Sequence, residues 1–227
     1  MSPVLFNILI TVGSLVYVFG VVALMDLAVK KGFPQDLSRK VVHVAAGSWL
    51  IFWLFYDSSH WTKYLNITAA FIWTIFLLVK GFTAKVDDKA VKTMTRTGDR
   101  SELLRGPLYF TLVMNLLGTV FYSTPFALTA MGFLTWGDGL APVVGTRYGK
   151  HSYKVFSNKT IEGSITFFVL GLAGAVLFNM LFGNSINLEF MLICAALATV
   201  VEGISPRDLD NILIPLTIYL LYLFYYI

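Results

Sequence analysis

The sequence contains a single cysteine, Cys194, and few charged residues for its length of 227. One cysteine excludes an intrachain disulfide and a metal site built from several thiolates, and its apolar surroundings indicate a buried, inert thiol. Charged residues make up only 13% of the chain and hydrophobic residues 57%, and the mean hydropathy is +0.73. These proportions exclude an ordinary soluble domain and indicate a protein that folds in lipid.

The chain also lacks internal repeats, low-complexity tracts and any polar stretch long enough for a separate soluble domain. Instead it contains eight apolar runs, at residues 4–29, 41–56, 64–79, 107–122, 126–141, 163–182, 189–204 and 211–227. A membrane-spanning helix needs about 20 mostly apolar residues, and shorter runs can cross by tilting or thinning the bilayer. The pattern predicts an all-α fold: a polytopic transmembrane bundle of about eight helices, forming one transmembrane domain over residues 1–227. The first run is too long for a signal-peptide core, so we expect a retained helix.

Basic residues are distributed unevenly between the connections. With eight crossings, sixteen of the seventeen Lys and Arg residues fall on one side, and the other side keeps only Lys63. Because basic connections are retained in the cytoplasm, the rich side is predicted to be cytoplasmic and both termini non-cytoplasmic. The same charges also attract anionic lipids or phosphates.

The segment WGDGLAPVVGTRYGK combines an acidic residue at the end of an apolar run with glycines and two cations. An ionisable group such as Asp138 is costly at membrane depth and therefore indicates function. Glycines suit a loop that wraps a phosphate or a metal ion. The structural alternative is a helix cap at Asp138 with glycines that pack helices. The residues concerned are Gly137, Asp138, Gly139, Gly145, Arg147, Gly149 and Lys150.

The next polar segment, SNKTIEGS, lies where another apolar run begins. Free N–H groups at a helix N-terminus form an anion site, and a nearby lysine adds positive charge. Plain helix capping by the hydroxyl and carboxyl groups is the alternative. The segment contributes Lys159, Thr160, Glu162, Gly163 and Ser164.

The third cluster, VEGISPRDLDNILIPL, supplies the carboxylates of Glu202 and Asp210 and the amide of Asn211. Magnesium takes oxygen ligands and is often held by one or two carboxylates plus substrate phosphates. Capping of the last helix by Asp210 and Asn211 is equally compatible with their position.

Two further segments, LSRKVVHVAAG and TRTGDRSELLRGPLYF, are ambiguous on physical grounds alone. Lys40 and His43 are three residues apart and share one face of a predicted helix. Pro107 suits the first turn of another helix. The polar residues of interest here are Arg39, Lys40, His43, Glu102 and Arg105.

Taken in order, SRKVVHV, GDRSELLRGPLYF, WGDGLAPVVGTRYGK, NKTIEGS and DNILIPL resemble the CTP-dependent lipid alcohol kinases, a family that includes phytol, farnesol, dolichol and yeast-type diacylglycerol kinases. The ELLRGPLY segment is similar to the phytol kinase branch. The same pattern is distantly similar to phosphatidate cytidylyltransferases. Their long C-terminal signature has no counterpart in VEGISPRDLDNILIPL, so the kinase is the preferred interpretation.

The resemblance implies transfer of the γ-phosphate of CTP, with Mg²⁺, to the hydroxyl of phytol, geranylgeraniol or another polyprenol. It assigns catalytic roles to Asp138, Lys159, His43 and Lys40, with Asp138 and His43 as alternative bases. Metal ligation falls to Asp138, Asp210, Glu162 and Glu202, and substrate binding to Arg39, His43, Glu102 and Arg105. The nucleotide-binding residues are expected to be Gly137, Gly139, Gly145, Arg147, Gly149, Lys150, Lys159, Thr160, Glu162, Gly163, Ser164 and Asn211.

Two alternatives stay open: a phosphatidate cytidylyltransferase-like enzyme, and a small transporter or lipid-binding protein. Transporters place polar sites near the midplane and often contain repeats, neither of which is evident here. The expected partners are the bilayer, the lipid alcohol and CTP, and nucleic acid is not expected. Small residues in LGLAGAVLFNM and ICAALA suit a homodimer interface as well as packing inside the bundle.

Overall fold

The computed structural model describes residues 1–226 except 86, 89, 90, 92 and 93. Lys89 and Lys92, counted above among the cytoplasmic basic residues, lie outside the described residues. The fold is all-α, as predicted, and the described part contains eight α-helical segments when the one that a π-helical turn divides, 125–148, is counted once. The prediction of one transmembrane domain stays a prediction; the chain divides into two compact units, residues 1–45 with 49–120 and residues 46–48 with 121–227.

The first unit begins with the longest helix, α1 (Pro3–Lys30), which Ser2 caps by accepting from the Leu5 amide at 3.3 Å. Next come α2 (Gln35–Ser48), whose last three residues belong to the second unit, and a 3₁₀ stretch, Trp49–Phe55. A second 3₁₀ stretch, Trp61–Ile67, leads into α3 (Thr68–Thr83). A 3₁₀ turn, Arg100–Leu104, precedes α4 (Gly106–Thr119), and Pro107 occupies the first turn of α4 as expected.

The second unit contains a helical segment whose hydrogen-bond pattern changes twice. It runs as α5 (Pro125–Gly132), a π-helical turn (Phe133–Gly137) and α6 (Asp138–Tyr148). A short antiparallel hairpin follows, β1 (Ser152–Lys154) and β2 (Asn158–Thr160), with Tyr153 directly opposite Lys159. The unit ends with α7 (Ile161–Leu181), α8 (Leu188–Ile204) and α9 (Asp210–Tyr226).

Glycines allow α5 and the π-helical turn to pack tightly on α7. A side chain at Gly132 would meet backbone atoms of Ala175 at 2.2 Å, and one at Gly171 would meet the Phe133 ring at 2.3 Å. Buried Asn179 adds a hydrogen bond from its amide to the Thr129 hydroxyl at 3.1 Å. Small residues and an interhelical polar bond are the usual means of holding helices together in lipid.

Three helical segments of the described chain have the length and apolar composition to cross a membrane: Pro3–Lys30, Trp61–Thr83 and Ile161–Leu181. Asp210–Tyr226 is a shorter apolar helix. Many of their apolar side chains are exposed, including Val16, Phe82 and Ile165. These features support an integral membrane protein with several spans. The full set of eight crossings, the position of the termini and the side of the site stay predictions.

Candidate active site

The second unit brings one lysine and three carboxylates together. Lys159, on β2, donates to Oε1 of Glu202 in the last turn of α8, and its Nζ lies 3.8 Å from Oδ2 of Asp210 at the start of α9. Asp138, at the start of α6, is near enough to act electrostatically on both Lys159 and Asp210. Four segments that are distant in the sequence therefore meet at one charged cluster, which we define as Asp138, Lys159, Glu202 and Asp210.

The electrostatics of the cluster keep Lys159 protonated. Burial alone would lower the pKa of Lys159, but the carboxylate of Glu202, followed by those of Asp210 and Asp138, outweighs it and raises this pKa above its ordinary value. Only about 3% of the Glu202 side chain and 13% of the Asp210 side chain are exposed. Three carboxyl groups against one ammonium leave an excess of oxygen ligands and negative charge, which suits a divalent cation.

Asn211 adds an unsatisfied acceptor beside this cluster. Its backbone N–H and side-chain amide donate to Oδ1 of Asp210 at 3.0 and 3.3 Å, which fixes the orientation of the amide. The buried Oδ1 of Asn211 then receives no hydrogen bond from the described residues. A buried polar atom without a partner is costly, and a bound cation or a donor on a ligand would satisfy it.

Two prolines interrupt the regular helical hydrogen-bond pattern near Asp138 and Asn211. Pro142 lies inside α6 and Pro215 inside α9, each four residues after a residue already discussed, Asp138 and Asn211. Proline has no N–H, so it cannot make the helical bond to the carbonyl four residues earlier. The π-helical turn directly before Asp138 is a further irregularity of the kind that is frequent at functional sites.

The glycines of WGDGLAPVVGTRYGK do not form a phosphate-wrapping loop. Gly137 ends the π-helical turn and Gly139 and Gly145 lie inside α6, so the loop interpretation is wrong for these three. Gly137 and Gly145 serve packing: a side chain at Gly137 would meet the Phe167 ring at 3.1 Å, and one at Gly145 would meet the Thr160 hydroxyl at 2.8 Å. Gly149 follows α6 as its C-cap. The capping interpretation is also wrong for Asp138, since no side chain caps α6.

The start of α7 is capped by Thr160, whose hydroxyl accepts from the Gly163 amide at 3.1 Å. Glu162 accepts from His151, at 2.8 Å from Nδ1 and 3.3 Å from the backbone N–H. Ser164 shares a hydrogen bond with Tyr153 at 2.7 Å. Arg147 and Lys150 are exposed at the end of α6 and just after it. Glu162 and Ser164 are thus hydrogen-bonded to His151 and Tyr153, at the start of the hairpin.

The remaining predicted residues belong to the first unit. Arg39, Lys40 and His43 lie on α2, where the His43 ring stacks on Phe110 with centroids 4.5 Å apart. Glu102 closes its own loop by accepting from the Arg96 amide and the Thr97 hydroxyl at 2.6 and 2.8 Å. Arg105 is exposed directly before α4. Their roles in substrate binding stay predictions.

In the described part of the chain, no group of three or more His, Cys, Asp or Glu side chains is placed so that it could hold a metal ion by itself. This does not conflict with magnesium, which usually keeps waters and substrate phosphates in its coordination sphere. Sequence reasoning missed Tyr153, which lies on β1, and His151, which directly precedes that strand. Strands of three residues are too short to show a period, so the sequence offered no clear signal for this hairpin.

Comparison with known proteins identifies the family. The chain is 33% identical over 224 residues to a probable chloroplastic phytol kinase of Zea mays, an alignment covering 92% of this chain and 72% of the relative. The chain belongs to the phytol kinase family. A second relative, probable phytol kinase 1 of Oryza sativa subsp. japonica, is 34% identical over 223 residues, covering 92% of this chain and 70% of the relative.

A third phytol kinase, phytol kinase 1 of Arabidopsis thaliana, is 27% identical over 228 residues, which cover 92% of this chain and 75% of the relative. Each of these alignments covers 92% of the chain, so membership in the phytol kinase family rests on nearly its whole length. The family resemblance predicted from the motifs is confirmed. No family model matches the chain, and no solved structure matches it at a significant level.

Proposed function

We propose that this member of the phytol kinase family is a CTP-dependent kinase of a membrane lipid alcohol, such as phytol or geranylgeraniol. The observation that carries the proposal is the charged cluster, in which Asp138, Glu202 and Asp210 surround Lys159. Phosphoryl transfer needs positioning and charge neutralisation more than covalent help, and such a cluster supplies both. The choice of CTP as donor rests on the motif resemblance described above.

Lys159 is the group best suited to hold a phosphate, because its charge is kept by its neighbours and its Nζ has three donors. Exposed Arg147 and Lys150 add positive charge on α6 and just after it. The N-terminus of α7 supplies a partial positive charge near Gly163. Together these groups suit the triphosphate of a nucleotide.

Asp138 and Asp210 are proposed as magnesium ligands, with Oδ1 of Asn211 as a neighbouring oxygen. Glu202 is proposed to position Lys159, and Glu162 to hold the hairpin through His151, because each carboxylate is engaged there. When bound, Mg²⁺ would neutralise part of the negative charge on the phosphates. The hard oxygen ligands present fit this ion and would not select a soft one.

In the proposed reaction, the alcohol oxygen forms a bond to the γ-phosphorus while the bond from that phosphorus to the bridging oxygen of the β-phosphate breaks. The products are the lipid monophosphate and CDP. The hydroxyl proton passes to a base, for which Asp138 is the proposed group. A loose transition state asks little basicity of it.

The reaction is tested with purified protein, Mg²⁺, phytol and CTP labelled either at the γ- or at the α-phosphate. We expect the γ-label to enter the lipid fraction and the α-label to stay in CDP. Entry of the α-label into lipid, with phosphatidate as acceptor, would instead support a cytidylyltransferase. If the γ-label does not enter the lipid fraction with any of phytol, geranylgeraniol, farnesol, undecaprenol and diacylglycerol, the proposal is contradicted.

Asp138→Asn is the matched test of the site. Because the substitution removes a negative charge at nearly constant volume, we expect γ-label transfer to vanish while the protein remains folded in the membrane. Wild-type turnover by this variant would remove Asp138 from the site. Asp26→Asn, on α1 in the first unit, is the control and should retain activity.

A further inference from the structure

A groove of about 440 Å³ runs along the surface of the second unit between α7 and α8. Its walls are formed by Ile161, Ile165 and Phe168 on α7 and by Val200, Gly203 and Ile204 on α8. Ile165, Val200 and Ile204 are exposed to the extent of 58%, 55% and 47%, so the groove is open to its surroundings. A volume of this size lies in the range of sites that take small hydrophobic ligands.

One end of the groove adjoins the charged cluster. Tyr153 lines the groove and is paired across the hairpin with Lys159. Directly opposite residues of an antiparallel pair project from the same side of the sheet, so Tyr153 and Lys159 share a face. On α8, groove-lining Gly203 directly follows Glu202, the partner of Lys159. The groove therefore runs up to the group proposed to hold the phosphates.

The polar end of the groove is uncharged. The Tyr153 and Ser164 hydroxyls lie 2.7 Å apart and share one hydrogen bond, in which either can be the donor. Two hydroxyls carry two hydrogens and several lone pairs, so the pair keeps one donor and further acceptor sites for a ligand. Such a pair suits a neutral alcohol, whereas an anionic headgroup would call for cations.

Gly203 is the residue that lets Tyr153 lie over α8. A side chain there would meet the Tyr153 hydroxyl oxygen at 2.7 Å. The tyrosine hydroxyl is held at this end of the groove by the small residue below it and by Ser164.

We propose that this groove binds the hydrocarbon chain of the alcohol substrate, with the Tyr153–Ser164 hydroxyl pair orienting the reacting hydroxyl towards the Lys159 end. The inference rests on the proposed function and names a substrate site within it. It assigns Ser164 to the alcohol, in place of the nucleotide role predicted from the sequence, and makes Tyr153 a positioning residue that sequence reasoning missed. A groove with apolar walls that ends at two hydroxyl groups is complementary to a long-chain alcohol.

The test compares two tryptophan variants on one helix. Val200→Trp fills the groove, and Leu192→Trp, at an exposed apolar position of α8 outside it, is the control. Losing the burial of two methylenes raises KM about tenfold, so we expect at least that increase for geranylgeraniol in Val200→Trp and little change for the shorter geraniol. The KM for CTP should be unchanged in both variants. Equal KM values for geranylgeraniol in the two variants would overturn the proposal.

Tyr153→Phe tests the polar end. It keeps the ring and removes the hydroxyl, so we expect a raised KM for the alcohol and a lower kcat, with the KM for CTP unchanged. A change confined to the KM for CTP would show that Tyr153 serves the nucleotide and would overturn its assignment.

Photocrosslinking of the unmodified protein makes the test independent of variant folding. Geranylgeraniol carrying a diazirine on its chain should label α7 and α8 peptides, and excess unlabelled alcohol should prevent this, whereas excess phospholipid should not. Labelling of α2 around Lys40 and His43 instead, or labelling that phospholipid abolishes equally, would contradict the groove. If wild-type protein phosphorylates no alcohol, the proposed function fails; if it does so without α7 and α8 labelling, only the groove fails.

Discussion

Lys159 and its three neighbouring carboxylates are the residues on which the proposed chemistry of this protein depends. Burial of a lysine that is only about a fifth exposed disfavours the ammonium form and by itself lowers its pKa. The carboxylate of Glu202, together with those of Asp210 and Asp138, outweighs burial and raises the pKa of Lys159. A group whose pKa is raised in the folded protein contributes stability that is complete below its ordinary pKa and is lost only as pH rises through the raised value. Lys159 is therefore charged across the physiological range.

Glu202→Gln should move the alkaline limit of activity to lower pH. Without the carboxylate, burial is less opposed and the pKa of Lys159 falls, so Lys159 loses its proton at a pH that the wild type tolerates. We also expect kcat at neutral pH to fall on the order of 10²-fold, as when one group that stabilises transition-state charge is removed. The measurement is the pH profile of kcat.

Glu189→Gln is the control for this profile. Glu189 lies in the first turn of the same helix, α8, and accepts from the Tyr225 hydroxyl at 3.1 Å. Its profile should match the wild type. An alkaline limit that does not move in Glu202→Gln would contradict the role of Glu202 in holding the charge on Lys159.

At the scale of elements, the contact of α5 and the π-helical turn with α7 depends on close backbone approach. A Cβ at Gly132 would lie 2.2 Å from the Ala175 nitrogen and 2.6 Å from the Gly174 carbonyl carbon, which are backbone atoms that cannot rotate away. α5 and the π-helical turn lead to Asp138, and α7 follows Lys159. The spacing between them therefore sets the geometry of the charged cluster.

Gly132→Ala should lower the free energy of unfolding by about 1–3 kcal/mol, the usual cost of overpacking, and reduce activity in parallel. Gly20→Ala is the matched control, because nothing lies within 4 Å of a Cβ at that position of α1. It should be neutral or stabilising by up to about 1 kcal/mol, since alanine favours a helix. Thermal unfolding in detergent measures both; equal effects would refute the close approach.

Thr160→Ala tests the capped N-terminus of α7. The hydroxyl that accepts from the Gly163 amide is lost, and we expect a decrease of about 1 kcal/mol in the free energy of unfolding. Thr160→Ser, which keeps the hydroxyl, should restore it. Chemical denaturation in detergent provides the measurement, and equal stability of the alanine and serine variants would rule out capping by this side chain.

The main helices could be predicted because apolar runs are a direct sequence signal, and each of the eight runs overlaps one α-helical segment. The run at 41–56 fits least well, since it covers only the second half of α2 and continues into the 3₁₀ stretch Trp49–Phe55. The hairpin was not predicted, since three-residue strands are too short to show a period. The π-helical turn before Asp138 was missed for a similar reason: one extra residue in a buried helix leaves no trace in hydrophobicity. The glycines of α6 were interpreted as a loop because composition does not distinguish a glycine that packs from one that turns.

For the whole molecule, the unequal distribution of basic residues predicts which connections share a side of the membrane. Ser58 lies in the connection that contains Lys63, and Ser152 lies on the hairpin near Lys150; both are exposed. In a Cys194→Ser background, Ser58→Cys and Ser152→Cys should react with an impermeant maleimide from opposite sides of the membrane. Ser152→Cys should react from the cytoplasmic side. Labelling of both from one side would contradict the eight-crossing topology.

The charged cluster shows how far sequence reasoning reaches across the molecule. It selected Asp138 and Glu202 because ionisable groups at the ends of apolar runs are costly. It selected Lys159 and Asp210 because each stands where an apolar run begins, where a lysine suits an anion and a carboxylate suits magnesium. It could not pair them, since the contacts join positions up to 72 residues apart and depend on helix packing. Glu162 illustrates the limit: it looked like a metal ligand, yet the structure pairs it with His151.

The central claim is that the charged cluster holds a nucleotide triphosphate through a divalent cation. The most direct measurement is calorimetric titration of CTP into purified wild-type protein and into Asp138→Asn, each with and without Mg²⁺. We predict that wild type binds CTP much more tightly with Mg²⁺ and that Asp138→Asn loses this difference. Equal CTP affinity with and without Mg²⁺ in the wild type, or an undiminished Mg²⁺ effect in Asp138→Asn, would contradict the account.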